Sequence, residues 1–179
     1  RSHRIGVHFI RGFIWITATV LFFSSIHLMG LAEATAIAFV APLFITAIAA
    51  LFIAPVGWRR WIAVVIGFVG VLVIVRPGAA SFELVSLLPV ATAFTYALLM
   101  LSARFVDTRE SMWTLLLYLS ATSAVLTGSI VTFFWTPIRA EDLWLFAAIA
   151  FFGTGGMTMI TQAFRVAEAP TVAPFDYTA

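Results

Sequence analysis

The chain has 179 residues, 63% of them hydrophobic and 10% charged, with a net charge of +2 and a mean hydropathy of +1.09. A water-soluble domain carries roughly 25% charged residues, so this composition cannot cover a water-facing exterior, and lipid must be the outer solvent. Cys is absent, which excludes a disulfide framework, a Cys-based metal site and a Cys nucleophile, and the small net charge gives no reason to expect nucleic acid.

Apolar stretches of the length that a membrane helix needs, about 18 to 24 residues, fall near 13–31, 34–54, 59–76, 84–102, 111–134 and 143–163, and a seventh begins near 170. Their continuity predicts helices, because barrel strands would alternate residue by residue and because lipid offers no partner to an open backbone. The fold class expected is therefore all-α: a polytopic helix bundle of six full spans and the start of a seventh. Short polar joints separate the spans, the tightest marked by Gly30 and Glu33. One set of joints carries Arg1, Arg4, Arg11, Arg59, Arg60, Arg104, Arg109 and Arg165, whereas the opposite set carries Arg76 and Arg139. By the positive-inside rule, 1–12, 55–60, 103–110 and 164–169 are cytoplasmic. The six Trp residues (15, 58, 61, 113, 135 and 144) lie at or near predicted span ends, as an interfacial aromatic belt would. The start at Arg1 without Met, and an end inside an apolar stretch, make a piece of a longer protein the expectation.

Leu31-Ala32-Glu33-Ala34-Thr35 is echoed by Val166-Ala167-Glu168-Ala169-Pro170, and Val40-Ala41-Pro42-Leu43 by Val172-Ala173-Pro174-Phe175. An odd number of spans separates the copies, so they lie inverted in the membrane. Inverted repeats with a site near the midplane are a recurring plan of secondary transporters. In this register His27 falls opposite Gln162. Pro42 and Pro174 each remove a helix hydrogen bond, which reads either as a packing kink or as a break lining a cavity.

Taken in order, Gly30-Leu31-Ala32-Glu33-Ala34-Thr35 into Phe39-Val40-Ala41-Pro42-Leu43-Phe44, Gly57-Trp58-Arg59-Arg60-Trp61, Gly67-Phe68-Val69-Gly70-Val71, Arg76-Pro77-Gly78, Ala163-Phe164-Arg165 and Ala173-Pro174-Phe175-Asp176-Tyr177 resemble the EamA-type transporters of the drug/metabolite transporter superfamily. The likeness covers essentially the whole chain, departing at Ala54-Pro55, where many members carry Gly-Glu. It implies ten helices in two inverted five-helix repeats, of which this chain resembles helices three through eight and the start of nine. Residues 1–78 would then be the C-terminal part of the first repeat and 84–179 the second repeat, truncated at its end.

Away from span ends, no Arg, Asp or Glu stands inside a predicted span until Asp176. An intramembrane charge is a functional suspect, so Asp176, with Tyr177 beside it, reads as a proton or substrate-cation handler or as an interfacial residue. His27 is a pH-sensitive ligand or an imidazole reaching the headgroups, and Gln162 stands near the opposite end of its span. Thr92, Thr95, Tyr96 and Leu99 share a helical face that could line a cavity or bond to a neighbouring helix. Tyr118, Ser120, Thr122 and Ser123 read as packing or backbone-bonding residues. Gly153-Thr154-Gly155-Gly156 lacks the strand and Lys of a phosphate loop and, like Gly67 and Gly70, suggests close helix approach. His3 and His8 fall in the cytoplasmic arm. The candidate substrate-binding residues are thus His27, Pro42, Thr92, Thr95, Tyr96, Gln162, Pro174, Asp176 and Tyr177; no catalytic residue, metal or cofactor is expected. The leading reading is a secondary transporter of a small organic metabolite or drug in the inner membrane. Its partners are the solute and the bilayer, with a second copy of the chain as a candidate and nucleic acid excluded. The alternatives are an intramembrane enzyme and a non-transporting membrane scaffold.

Overall fold

A computed structural model describes residues 5–53, 57–75, 84–103, 106, 110–133, 135, 137–173 and 175. Its helices, in chain order, are α1 (Ile5–Met29), α2 (Leu31–Ala38), α3 (Ala41–Phe52), α4 (Trp58–Val75), α5 (Leu87–Ser102), α6 (Met112–Val131), α7 (Leu143–Val166) and the single turn α8 (Ala169–Val172). Short 3₁₀ turns lead into α5 and α7. Among the described residues, five helical stretches are long and apolar enough to cross a membrane: Ile5–Met29, Leu31–Phe52, Leu84–Ser102, Met112–Val131 and Ala140–Val166. The chain is an all-helical, polytopic membrane protein.

Two helix boundaries depart from the sequence reading. First, α1 begins at Ile5, not near residue 13. It draws His8 and Arg11 into the helix, and it places Trp15 ten residues in, away from an interfacial end. The other five Trp residues do stand at or near helix ends, each exposed. Second, the span over 31–52 is two half-helices. Pro42 cannot donate to the carbonyl of Ala38, so the α-ladder is interrupted there. Val40 N–H bonds to Ile37 O at 3.1 Å in a tighter turn, and Phe39 and Val40 have ψ values of 0° and −13°. Between α1 and α2 the joint is one residue, Gly30, whose φ of 90° a side chain would oppose.

In a bilayer the lipid tails are as apolar as the side chains, so helices associate by close packing and by polar bonds between them. α1 lies along α5 and α6, α3 packs on α5 and α4, and α8 packs on α3. The larger buried cluster gathers Ile45, Ala49, Ala97, Leu99, Met100, Leu119, Phe164 and Ala169, toward the C-terminal ends of α3, α5 and α7. A smaller one, Val40, Ala41 and Ala93, surrounds the break, where Phe44 meets Phe94 and Phe68 edge-on. α7 stands almost apart, burying only Thr161 and Phe164.

Glycine marks two close approaches. A Cβ on Gly67 would meet Leu43 Cδ1 at 2.5 Å, as its small size suggests. On Gly12 it would meet Thr122 Cγ2 at 2.5 Å and Cβ at 2.6 Å. At Gly70, Gly153, Gly155 and Gly156, by contrast, no described atom comes within 4 Å, and close helix approach is not found there. Gly12→Ala is therefore expected to force α1 from α6 and to cost about 1–3 kcal/mol. Thermal unfolding in detergent checks this, with Gly6→Ala, where the space is open, as the neutral comparison.

Candidate solute cavity and the polar cluster beneath it

Between α1, the broken α2–α3 span and α5 lies a cavity of about 410 Å³. Trp15, Phe22 and Phe23 of α1, Phe39 at the break and Tyr96 of α5 line it with aromatic rings. Thr19, Thr35 and Thr92 add hydroxyl-bearing side chains, and Ala18, Ala38, Ala41, Pro42 and Ala93 add small ones that leave the room. α1 reaches the cavity with residues at helical spacing, so one face of it forms a wall. The break supplies the opposite wall because residues on both sides of it, Ala38 and Phe39 before and Ala41 and Pro42 after, face the same space. Pro42 is both a break and a cavity-lining residue.

The Thr hydroxyls are largely occupied by their own helices. Thr92 Oγ1 donates to Leu88 O at 3.0 Å and Thr19 Oγ1 to Trp15 O at 2.8 Å. Thr95 Oγ1 bonds to Ala91 O at 2.8 Å and Thr92 O at 2.9 Å. These bonds run back along the same helix, not across to a neighbour, and they leave a solute to meet mainly methyl groups and ring faces.

Of the candidates named from sequence, Pro42, Thr92 and Tyr96 come together at the cavity. Thr95 shares the stripe but not the lining. Leu99 is fully buried one turn further on. His27 and Gln162 are exposed on separate helices, α1 and α7, outside the cavity. Pro174, Asp176 and Tyr177 lie outside the described residues, as do His3, Arg76, Arg104, Arg109 and the Ala54-Pro55 departure. Sequence reasoning missed Trp15, Phe22, Phe23 and Phe39. Their signal was present as aromatic residues at helical spacing along one apolar run, but in such a run any face can meet lipid or a neighbour.

It also missed a polar cluster at the end of the bundle that carries Arg11, Arg60 and Arg165. Arg11 is 2% exposed, and its Nη1 donates to Leu99 O at 3.0 Å and Ser102 Oγ at 2.6 Å. His8, 1% exposed, places Nε2 2.7 Å from Glu110 Oε2 and stacks on Tyr118 with ring centroids 4.8 Å apart. Arg165 donates to Glu110 O at 2.9 Å and contacts Met112 Sδ at 3.0 Å. Arg60 reaches Glu168 at 4.0 Å, an exposed pair worth little. Residues from the joints read as cytoplasmic thus meet at one end of the bundle. Tyr118 and Thr122 pack as read from sequence, whereas Ser123 and Thr161 keep buried hydroxyls without a partner among the described residues.

A polytopic membrane protein with a solute-sized, aromatic cavity is the class that this geometry defines. Comparison with known proteins agrees in kind. The chain is 29% identical over 184 residues to a riboflavin transporter of Vibrio cholerae, covering 99% of this chain and 60% of that protein. It is 27% identical over 180 residues to an S-adenosylmethionine uptake transporter of Rickettsia prowazekii, with the same coverage. It is also 27% identical over 179 residues to one of Rickettsia bellii, covering 99% of this chain and 61% of that protein. The chain thus spans about 60% of the length of the curated relatives it matches. No family model and no solved structure matches it.

Proposed function

We propose that the chain belongs to a secondary transporter of the EamA type, within the drug/metabolite transporter superfamily, that carries a small organic solute across the inner membrane by alternating access. Similarity along nearly the whole chain to transporters of named metabolites carries this reading. The cavity supports it: its volume of about 410 Å³ lies in the range of small-molecule sites, and its rings suit a solute with a flat aromatic part. Riboflavin and S-adenosylmethionine, the solutes named for the relatives, both contain such a part and are the first to assay. The inverted-repeat organisation, 1–78 facing 84–179, belongs to the same proposal. In favour of it, each echoed segment contains a helix start just past the end of the preceding helix: Leu31 after Gly30, and Ala169 after Ala167 and Glu168.

Uptake and efflux of these two solutes, with amino acids and nucleoside-like metabolites beside them, test the proposal in cells expressing the full-length protein. Saturable movement of one solute is expected; no movement of any solute by protein present in the membrane would favour a scaffold. The absence of Cys makes topology accessible as well. Single cysteines replacing Gly57 and Ala79 are expected to label from opposite sides, and same-side labelling overturns the arrangement.

A further inference from the structure

We propose that the ring-lined cavity takes an uncharged, flat heteroaromatic ring system and rejects solutes that bring a carboxylate or phosphate into it; its place in transport rests on the reading above.

Every described residue of the lining is neutral. α1, the break and α5 each supply a ring, as Trp15, Phe39 and Tyr96 do, and ring faces suit another flat ring. The polar atoms between them are few and of the kind that meets the edge of a heteroaromatic ring. Thr19 and Thr92 have given their hydroxyl protons to Trp15 O and Leu88 O, so their oxygens are left to accept. At the break, the Phe39 N–H is spent on Thr35 O at 3.0 Å, whereas the Ala38 carbonyl receives no N–H from Pro42 and is a further acceptor. The indole N–H of Trp15 is a neutral donor. A ring with N–H and C=O groups along its edge can pair with such atoms one at a time.

A formal charge fares differently. Taken into an apolar site without a charged partner, it keeps a large desolvation cost that single neutral hydrogen bonds do not offset. The nearest charged residue of α1, Arg11, is 2% exposed and has its Nη1 on Leu99 O and Ser102 Oγ. Glu33, two positions before Thr35 on α2, is exposed and outside the lining. Ring faces attract a cation, but they repel an anion, and S-adenosylmethionine carries a carboxylate beside its sulfonium and ammonium groups. Of the two solutes named for the relatives, riboflavin is the one whose charge state matches this lining.

Two pairs of solutes that share a ring system but differ in charge test this: riboflavin against its phosphate ester, and adenosine against S-adenosylmethionine. Binding is measured by equilibrium dialysis with the full-length protein in nanodiscs, and empty nanodiscs serve as the blank. In at least one pair the uncharged member is expected to bind, about tenfold or more tightly than its charged partner, because a charge in an apolar membrane site costs at least that much. Equal or tighter binding of a charged partner overturns the proposal, and so does a protein that binds neither riboflavin nor adenosine. Ala38→Trp, which fills the cavity, should remove binding of the uncharged solute; retained binding would place that solute elsewhere and overturn the assignment to this cavity. The ratios measured on the parent protein decide the charge selectivity even if Ala38→Trp fails to fold. Failure of the transport reading shows separately. An uncharged ring that binds here but is not moved keeps the selectivity and ends the transport reading, whereas uptake of charged solutes alone does the reverse.

Discussion

Ala38→Trp is expected to abolish solute uptake while leaving the protein folded and in the membrane. Ala38 lines the cavity at the C-terminal end of α2, where the chain is already turning and a large side chain can enter the open space without displacing a helix. An indole there would occupy a large part of a cavity of about 410 Å³ and meet the rings of Phe39 and Tyr96. Tyr96→Ala acts in the opposite way, by removing a ring face. Aromatic contacts are worth about 0.5–1.5 kcal/mol beyond their area, so apparent affinity should fall by about two- to tenfold, and Tyr96→Phe, which keeps the ring, should retain most of it. Concentration-dependent uptake, with membrane abundance measured alongside, checks both. Wild-type uptake by Ala38→Trp would remove the cavity from the transport path.

Arg11→Ala is expected to be the most destabilising single change. The guanidinium is 2% exposed and bonded to Leu99 O and Ser102 Oγ, and hydrogen bonds to a charged group contribute about 1.5–3 kcal/mol each to stability. Its aliphatic stem also fills space between α1 and α5. Truncation loses both charged bonds, leaves the Leu99 carbonyl with the Ser102 hydroxyl as its side-chain donor and opens a gap, for a total on the order of 3 kcal/mol. Arg11→Met should recover part of this, because it restores packed volume and removes a cation whose burial is itself costly. Melting temperature in detergent orders the variants: wild type, then Met, then Ala. Equal melting of Ala and wild type would show that the arginine's bonds contribute nothing.

The resemblance to EamA-type transporters and the bottom-up reading met at the same residues, Pro42 foremost. The sequence left a packing kink and a cavity-lining break both open for it. The break is real because a proline has no N–H for Ala38, a fact present in the sequence. That it opens on a cavity depends on where α1 and α5 run, which is not. Thr92 and Tyr96 were legible as a stripe at helical spacing, yet the same periodicity placed Thr95 and Leu99 with them, and only packing divides the four. His27 attracted attention as a polar side chain well inside a predicted span. It lies two residues from the end of α1 and is exposed, and it does not share the cavity with Tyr96.

By itself the sequence determined that the chain lives in lipid and roughly where its helices cross. Those conclusions rest on composition and on the length of apolar runs, and the cost of open backbone or bare charge in hydrocarbon leaves few alternatives. Only the tertiary structure decided that α1 continues through His8 and Arg11. Read locally, a histidine and an arginine before an apolar run mark a loop. Their burial becomes favourable only once Glu110, Ser102 and the carbonyl of Leu99, some ninety to a hundred residues away in sequence, supply the hydrogen bonds that replace water.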